Sequence, residues 1–531
     1  MENIDLCLNN NPLSKDYYTT RQLILPLDYD FLIEKDDPVR VFVEVMEGEN
    51  LGRYIKKSSD LGRTGYNRFT LLEIILFAFM ENIRTLRGIE KACKTDIRFM
   101  WLSKNEKPSH TTLANFINND LNENIEKIFI EINKVIIHKR KVDTSKLYID
   151  GTKIEAYANK YTFVWKKATE SFKRKLMDKI SKTLKELNSF FDQTLQNTTY
   201  EASDEYTPYF LINIIRKLQE FIDENNIQIT SGRGKHKHQS QRLRDKFQGY
   251  YHFMLKYIEI IDICGENRNS YSKTDKDATF MHLKEDYMRN GQLKPAYNLQ
   301  IGVSNGYILS LGVYQDRDDH KTLIPFLDNY KNQYGFYPKY PVADSGYGSL
   351  NNYLYLEQNN MELYTKYGMY SKEKDSGGSF LDKFEKIDET TLVCPNNRKL
   401  NFLYTKVNRK NRKFKDYIYE CEDCSFCPFE KECKKNTMYK ERNRKISINY
   451  EWKRLKLLAL KNLTSDLGNQ LKINRSIQVE GAFGVIKEDM KYQRLHRRSK
   501  KKAEIEFYLV AIAFNLRKYY HSLHPNNILP N

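Results

Sequence analysis

The chain has 531 residues, with 87 Lys and Arg against 69 Asp and Glu, a formal net charge of +18. That length suggests roughly two to four domains by the usual ~150-residue prior, and the charge favours a polyanionic partner, because phosphate neutralisation drives nucleic-acid affinity. No apolar run approaches the ~18 residues that span a bilayer: the longest, LLEIILFAFM at 71–80, is too short, and MENIDLCLNN at the start lacks a basic segment leading into an apolar one. A soluble, cytoplasmic protein is expected, with no membrane partner.

Residues 1–140 read as helical after an extended start at RQLILPLDYDFLI. In NRFTLLEIILFAFMENIRTLRGIEKAC the apolar residues recur at helical spacing, with Thr70 as N-cap and Glu73 three positions on, a capping-box pattern. Ser109 is placed to cap a second helix in SHTTLANFINNDL. Arg84, Arg87, Lys91, Lys94 and Arg98 interleave with this pattern, as suits either a helix offered to DNA or a packing helix with solvated charges.

From about 145 the pattern changes. KLYID reads as a short strand, TFVWKKATESFKRKLMDKISKTLKELNSFF as a long charged helix, and two further helices follow around a basic loop, SGRGKHKHQSQR. Strand character returns in AYNLQIGVSNGYILSLGVYQD, where Asn305-Gly306 marks a hairpin. Next come a helix (HKTLIPFLDNYKNQYG), a strand (YPVAD), a helix (LNNYLYLEQNN) and a strand (MELYTKY); the chain from about 449 is helical. This order predicts an α/β fold, a mixed sheet with helices packed on it.

Two carboxylates stand out. Asp150 in YIDGTKIEAY and Asp344 in YPVADSGYGS each follow an apolar run and precede small residues. Asp before Gly is ordinary turn chemistry, so Gly151 reads as a turn residue, but side chains at neighbouring strand ends also converge on one crevice. Two aspartates there would form a hard oxygen site for Mg²⁺ or Mn²⁺. A third candidate is Glu480 in NRSIQVEGAFGVIKEDMKYQRLHRRSKKK. If that segment is helical, Glu480, Lys487, Lys491 and Arg494 share one stripe, a carboxylate leading phosphate-binding cations. The apolar setting of Glu480 argues against an idle surface charge, since an unpaired buried carboxylate is costly.

Together these blocks resemble the three acidic blocks of a DDE transposase from bacterial insertion sequences, in the branch with a Tyr-Arg-Glu-Lys third block. Glu480 and Lys487 are separated by six residues, as in that signature, whereas four residues rather than three separate Arg475 from Glu480 and no Tyr stands at the expected offset. SKTDKDATFM and AYNLQIGV fall where the family has its block before the second strand, and CPNNRKL with the later cysteines resembles its cysteine-bearing insertion.

The resemblance implies a ribonuclease H-like catalytic core at 141–531, with a helical insertion at about 155–290 and a cysteine-rich one at about 366–470. It implies a DNA-binding helical domain at 1–140. It also implies two metal ions held by catalytic Asp150, Asp344 and Glu480, with Asp150 bridging them. Lys487 would hold a neighbouring phosphate, and Arg475, the family's arginine candidate, would also bind DNA phosphate. The expected reaction is cleavage at element ends and strand transfer into target DNA, by a homodimer on DNA. A stand-alone metal-dependent nuclease and a non-enzymatic DNA-binding descendant are the competing readings.

Five of the eight cysteines fall between 394 and 433. Cys421, Cys424, Cys427 and Cys433 form C-x2-C-x2-C-x5-C, with Cys394 upstream, and C-x2-C spacing lets two thiolates reach one Zn²⁺. The favoured ligand set is Cys394, Cys421, Cys424 and Cys433, with Cys427 as alternative; an iron–sulfur cluster and free thiols are the other readings. Cys7, Cys93 and Cys264 read as buried small residues.

Overall fold

A computed structural model of the chain describes residues 29–48, 51–55, 65–194, 198–232, 236–283, 291–371, 373, 380–407, 414–435, 437 and 440–525. The strand expected at KLYID runs on to Glu155 as β1 (Lys146–Glu155), almost continuously buried because both faces of the sheet are covered. A two-stranded ribbon, β2 (Phe163–Trp165) with β3 (Ser270–Ser272), stands apart. β4 (Thr279–His282), β5 (Leu293–Ser304), β6 (Tyr307–Tyr314) and β7 (Tyr340–Val342) complete the main sheet.

Its order is β4-β5-β1-β7, with β6 also paired to β5. β1 is antiparallel to β5 and parallel to β7. The hairpin falls where Asn305-Gly306 predicts it: both residues take positive φ, 49° and 79°, as a two-residue turn between twisted strands requires.

The helix Lys500–Leu523 is the keel of the molecule. Every residue from Ile505 to Arg517 is buried, and the helix packs on β6 and on the helices Arg68–Met80 and Ile125–Arg140. Each large apolar side chain so buried contributes about 1.5–3 kcal/mol. Its one buried amide is satisfied: Asn515 accepts from Ile308 N at 2.8 Å and donates to Asn133 Oδ1 at 2.8 Å. The helices before Arg140 therefore share one apolar core with the sheet.

Among the described residues smaller cores lie outside it. The helices Lys166–Gln193, Pro208–Glu224 and Gln239–Cys264, between β1 and β5, pack on one another around Ile180, Leu184, Leu211, Ile214 and Phe247. A second antiparallel sheet, β8 (Glu385–Lys386), β9 (Thr391–Val393), β10 (Lys399–Val407), β11 (Lys415–Cys421) and β12 (Lys445–Ile448), encloses Leu392, Leu400, Tyr419 and Ile446. Cys93 and Cys264 are buried as expected, and Cys7 lies outside the described residues.

Several local expectations need correction. The first long helix is capped by Asn67, whose side chain accepts from Phe69 N and Thr70 N, so Thr70 lies inside the helix. Ser109 does cap its helix. In the supposed extended start, Tyr29–Leu32 is helical and Ile33 is a buried bend, and residues 21–28 lie outside the described residues. The last four residues of the basic loop at 231–242 are not loop, since the next helix begins at Gln239. MELYTKY forms no ladder strand, although Glu362 N and Lys366 N donate to Lys339 O and Ala343 O alongside β7. Among the described residues no helix is long and apolar enough to cross a membrane.

Candidate active site

Asp150 lies in the middle of β1 and not at its end. What ends there is the neighbour: β7 pairs with β1 only over Lys146–Tyr148, with Tyr148 opposite Val342. Asp150 and Asp344 are each two residues beyond that last pair, so parallel register brings them level at the mouth where β7 stops. Asp150 is buried and Asp344 partly open. Both lean on backbone: Asp150 Oδ1 accepts from Gly151 N at 2.8 Å, and Asp344 Oδ1 accepts from Gly346 N at 2.8 Å.

A single cation joins them. Arg475 Nη2 lies 2.8 Å from Asp150 Oδ2 and 3.8 Å from Asp344 Oδ2, on a side chain that is itself only 9% exposed. Arg475 ends the helix Asp466–Arg475, which packs against β1 and β7. The proposed phosphate contact of Arg475 is thus replaced by a carboxylate contact within the chain.

Glu480 is not with the two aspartates. After Arg475 the backbone widens into π turns at Ser476–Glu480 and again at Val485–Asp489, and Val479, Ala482 and Ile486 are the residues turned inward. Glu480, next to Val479 on the helix surface, is exposed. Its apolar neighbours bury the opposite side of the helix, so the burial expected of Glu480 does not occur. Among the described residues no three of His, Cys, Asp and Glu come together as metal ligands would.

The expected stripe of cations also breaks. The helix stops at Met490, and Lys491 takes a left-handed φ of 50° with its carbonyl accepting from Arg84 Nη1 at 2.9 Å. Arg494 lies beyond, bridged to the end of β1: its Nε is 3.5 Å from Glu155 Oε1, and Leu495 N donates to Glu155 O at 2.9 Å. Lys160 and Lys294 also surround Glu155, while Arg494 and Arg498 lie over the Tyr157 ring. Lys487 is half-buried and Lys491 exposed.

Of the N-terminal basic residues, Arg98 pairs with Asp96 and Glu81, Lys94 with Glu90, and Arg84 lies over Tyr492. Only Arg87 and Lys91 of the five stand exposed with no such partner given by ion pairs or rings.

Beneath Asp150 runs a polar network that the sequence reading missed. Gln300 faces Gly151 across the β1–β5 ladder, and a Cβ on Gly151 would lie 2.1 Å from Gln300 Nε2. Gly151 is therefore no turn residue; it lacks a side chain so that the Gln300 amide can lie over the strand. Gln300 Nε2 donates to Asn298 Oδ1 at 3.0 Å and Asp319 Oδ1 at 3.1 Å, and Gln300 Oε1 accepts from the Tyr347 hydroxyl. Lys153 Nζ holds both Asp319 oxygens, at 3.1 and 3.2 Å. Burial, reinforced by the charges of Asp319, Asp150 and Asp344, pushes the Tyr347 phenol well above its ordinary pKa, so it stays a neutral donor. The visible signal was the small residue directly after Asp150.

The cysteines gather in the smaller sheet. Cys421 is part of its core, with Cys394, Cys424 and Cys433 packed against it and Cys427 outside. Burial, with Cys424 beside it, pushes the Cys421 thiol up to about 12.

Two family models match the chain. One, described as Transposase DDE domain, covers residues 393–520 and so includes the cysteines, Arg475, Glu480 and the keel helix. The other, Transposase domain (DUF772), covers residues 27–119 among the N-terminal helices. No curated protein and no solved structure matches. The two matches are both to transposase domains, at opposite ends of a chain whose middle holds the paired aspartates, and they support a DDE transposase of the insertion-sequence type.

Proposed function

We propose that the chain cleaves DNA at the ends of an insertion sequence and joins those ends to target DNA, using divalent ions held at Asp150 and Asp344. The observation that carries this reading is the level pair of carboxylates sharing one cationic nitrogen of Arg475. A site that draws one positive charge between two hard oxygen ligands fits Mg²⁺ or Mn²⁺. When bound, two such ions supply activation of the attacking oxygen and stabilisation of the leaving one. The strand order, with β1, β4 and β6 each antiparallel to β5 and β7 parallel to β1, supports a ribonuclease H-like core.

The chain's own residues divide the work. Asp150 and Asp344 would hold the ions, in the place where the Arg475 guanidinium now meets both carboxylates. Glu480 supplies the third carboxylate when its π-widened helix, packed against β1 and β5, turns that residue inward. Lys487 holds the phosphate beside the scissile one, with Lys491 further along the DNA, while Arg494 stays matched with Glu155. Residues 1–140 serve DNA recognition, and two copies act on the two ends. A structural zinc would be held by Cys394, Cys421, Cys424 and Cys433, which lie at the core of the smaller sheet and would draw together from their present spacing to bind it.

The test is the purified chain with Mg²⁺ and DNA carrying the flanking inverted repeats, beside Asp150→Ala, Asp344→Ala and Glu480→Ala. Cleavage and joining by the native chain alone is expected. No reaction by the native chain overturns the reading, equal activity in the variants overturns the residue assignment, and cutting without end specificity or joining selects the nuclease instead.

A further inference from the structure

Asp150 lies within β1, and Asp344 lies two residues past the end of β7. Something must fix the gap between them, because a divalent ion accepts ligands only within a few tenths of an ångström of its preferred distance. Only three residue pairs hold β7 to β1, and all lie before the carboxylates. Past Val342 the ladder offers no further constraint.

The Gln300 side chain bridges that gap from below. Its amide lies against Gly151, the residue after Asp150. Its carbonyl oxygen accepts from Tyr347, which closes the short helical turn Ser345–Tyr347 that Asp344 caps. Gln300 and Tyr347 are both fully buried. The other end of the amide is held in turn: Asn298 and Asp319 accept from it, Asn298 Nδ2 donates to Asp319 Oδ1 at 2.7 Å, and Lys153 of β1 neutralises Asp319. Asn352 Nδ2 donates to Tyr347 O at 2.7 Å and to His320 O at 2.8 Å, tying the turn to the loop that carries Asp319.

We infer that the Tyr347–Gln300 hydrogen bond, anchored on Asp319 and Lys153, is a positioning device that sets the spacing of Asp150 and Asp344 for divalent-ion binding. Tyr347 and Gln300 touch neither ion nor DNA; they act through the two aspartates. The inference rests on the metal-site reading above. It explains why β1 carries glycine directly after its aspartate: any side chain at 151 would push the amide away. It also explains a buried amide and a half-buried carboxylate that the chemistry itself does not use.

The experiment is Mn²⁺ binding to the full chain without DNA, read by the paramagnetic resonance of free Mn²⁺, with thermal unfolding alongside. Tyr347→Phe removes one hydroxyl and keeps the ring. It is expected to weaken Mn²⁺ binding about fivefold, the size of one hydrogen bond, and Gln300→Ala is expected to weaken it at least as much. Tyr334→Phe is the control, since its hydroxyl donates to Leu309 O at 2.8 Å in the core and away from the aspartates; it is expected to lower thermal stability without moving Mn²⁺ affinity. Unchanged affinity in Tyr347→Phe, or an equal loss in Tyr334→Phe, overturns the inference while Asp150-dependent binding keeps the metal-site reading. Absence of any Mn²⁺ binding lost in Asp150→Ala overturns both.

Discussion

Arg475 Nη2 stands 2.8 Å from Asp150 Oδ2, and the pair is almost closed to solvent, with side chains 9% and 12% exposed. A buried ion pair adds little net stability, but removing one partner strands the other's charge and costs about 3 kcal/mol or more. Arg475→Met should therefore destabilise the chain by about 3 kcal/mol in the absence of divalent ions, because Asp150 and Asp344 are left facing each other. Any ligand that binds the folded state alone recovers stability by mass action. Mn²⁺ should raise the unfolding midpoint of Arg475→Met more than that of the native chain, whose own guanidinium competes for the place. An equal Mn²⁺ response in urea titrations of the two proteins would show that the guanidinium and the ion do not share a site.

The hairpin turn gives a prediction away from the carboxylates. Gly306 has φ +79°, and a Cβ there would lie 2.5 Å from the end of Lys518. Its N–H donates to Gln478 Oε1 at 2.8 Å, which links the turn to the segment carrying Glu480. Gly306→Ala combines a strained backbone with displacement of Lys518, and a cost of about 1–2 kcal/mol is expected in urea unfolding. Asn305→Gly keeps the backbone at ease, since φ +49° suits glycine as well, but removes the Oδ1 that accepts from Asp143 N at 3.0 Å, and a cost of about 1 kcal/mol is expected.

Much of the arrangement was legible because it is local. An Asn-Gly pair between β-rich runs names its own hairpin, and an apolar run before each aspartate marks the two strands of the site. What was not legible is register and rotation. That Asp150 lies level with Asp344 depends on Tyr148 pairing with Val342, a contact between segments almost two hundred residues apart. The apolar residues around Glu480 were read as burying it, but Val479, Ala482 and Ile486 show only that one side of the helix is buried, and the side is decided by the sheet beneath. Gly151 looked like a turn because aspartate preceded it; the reason for the glycine is Gln300, which no local pattern reveals. Arg475 was taken for a phosphate ligand since its position along the chain says nothing of the carboxylates it faces.

Glu73 gives the pH prediction. With Asn67 as the cap, Glu73 is one turn into the helix, and burial pushes its carboxyl up to about 7, with Lys104 opposing and Glu47 reinforcing the shift. Its unfolded pKa is near 4.5, so between about 4.5 and about 7 the folded chain binds more protons than the unfolded one. Stability from this group is fully present below the lower value and is lost as pH rises through the upper one. Glu73→Gln removes that titration. The variant should match the native chain near pH 4 and exceed it by about 2 kcal/mol at pH 8, taking the shift at partial weight for a site partly open to solvent. Parallel pH profiles of the two urea midpoints would refute the assignment.

The broken stripe at the end of the third block separates two cations that the sequence treated alike. Lys491 is exposed, held at a left-handed turn by Arg84 on its carbonyl. Arg494 is already matched with Glu155 and laid over Tyr157, and Lys160 and Lys294 stay beside that carboxylate when Arg494 is removed. A cation that neutralises a phosphate releases a counterion, and its loss lowers the slope of log affinity against log salt by about 0.9 for duplex DNA. Lys491→Ala should lower that slope by about 0.9 in anisotropy titrations of end-sequence DNA between about 50 and about 200 mM salt. Arg494→Ala should change it by much less, because the charge it carries is spent within the chain. A full unit lost on Arg494→Ala and none on Lys491→Ala would mean that Glu155 releases its arginine to the DNA, and that the end of β1 opens when the chain binds.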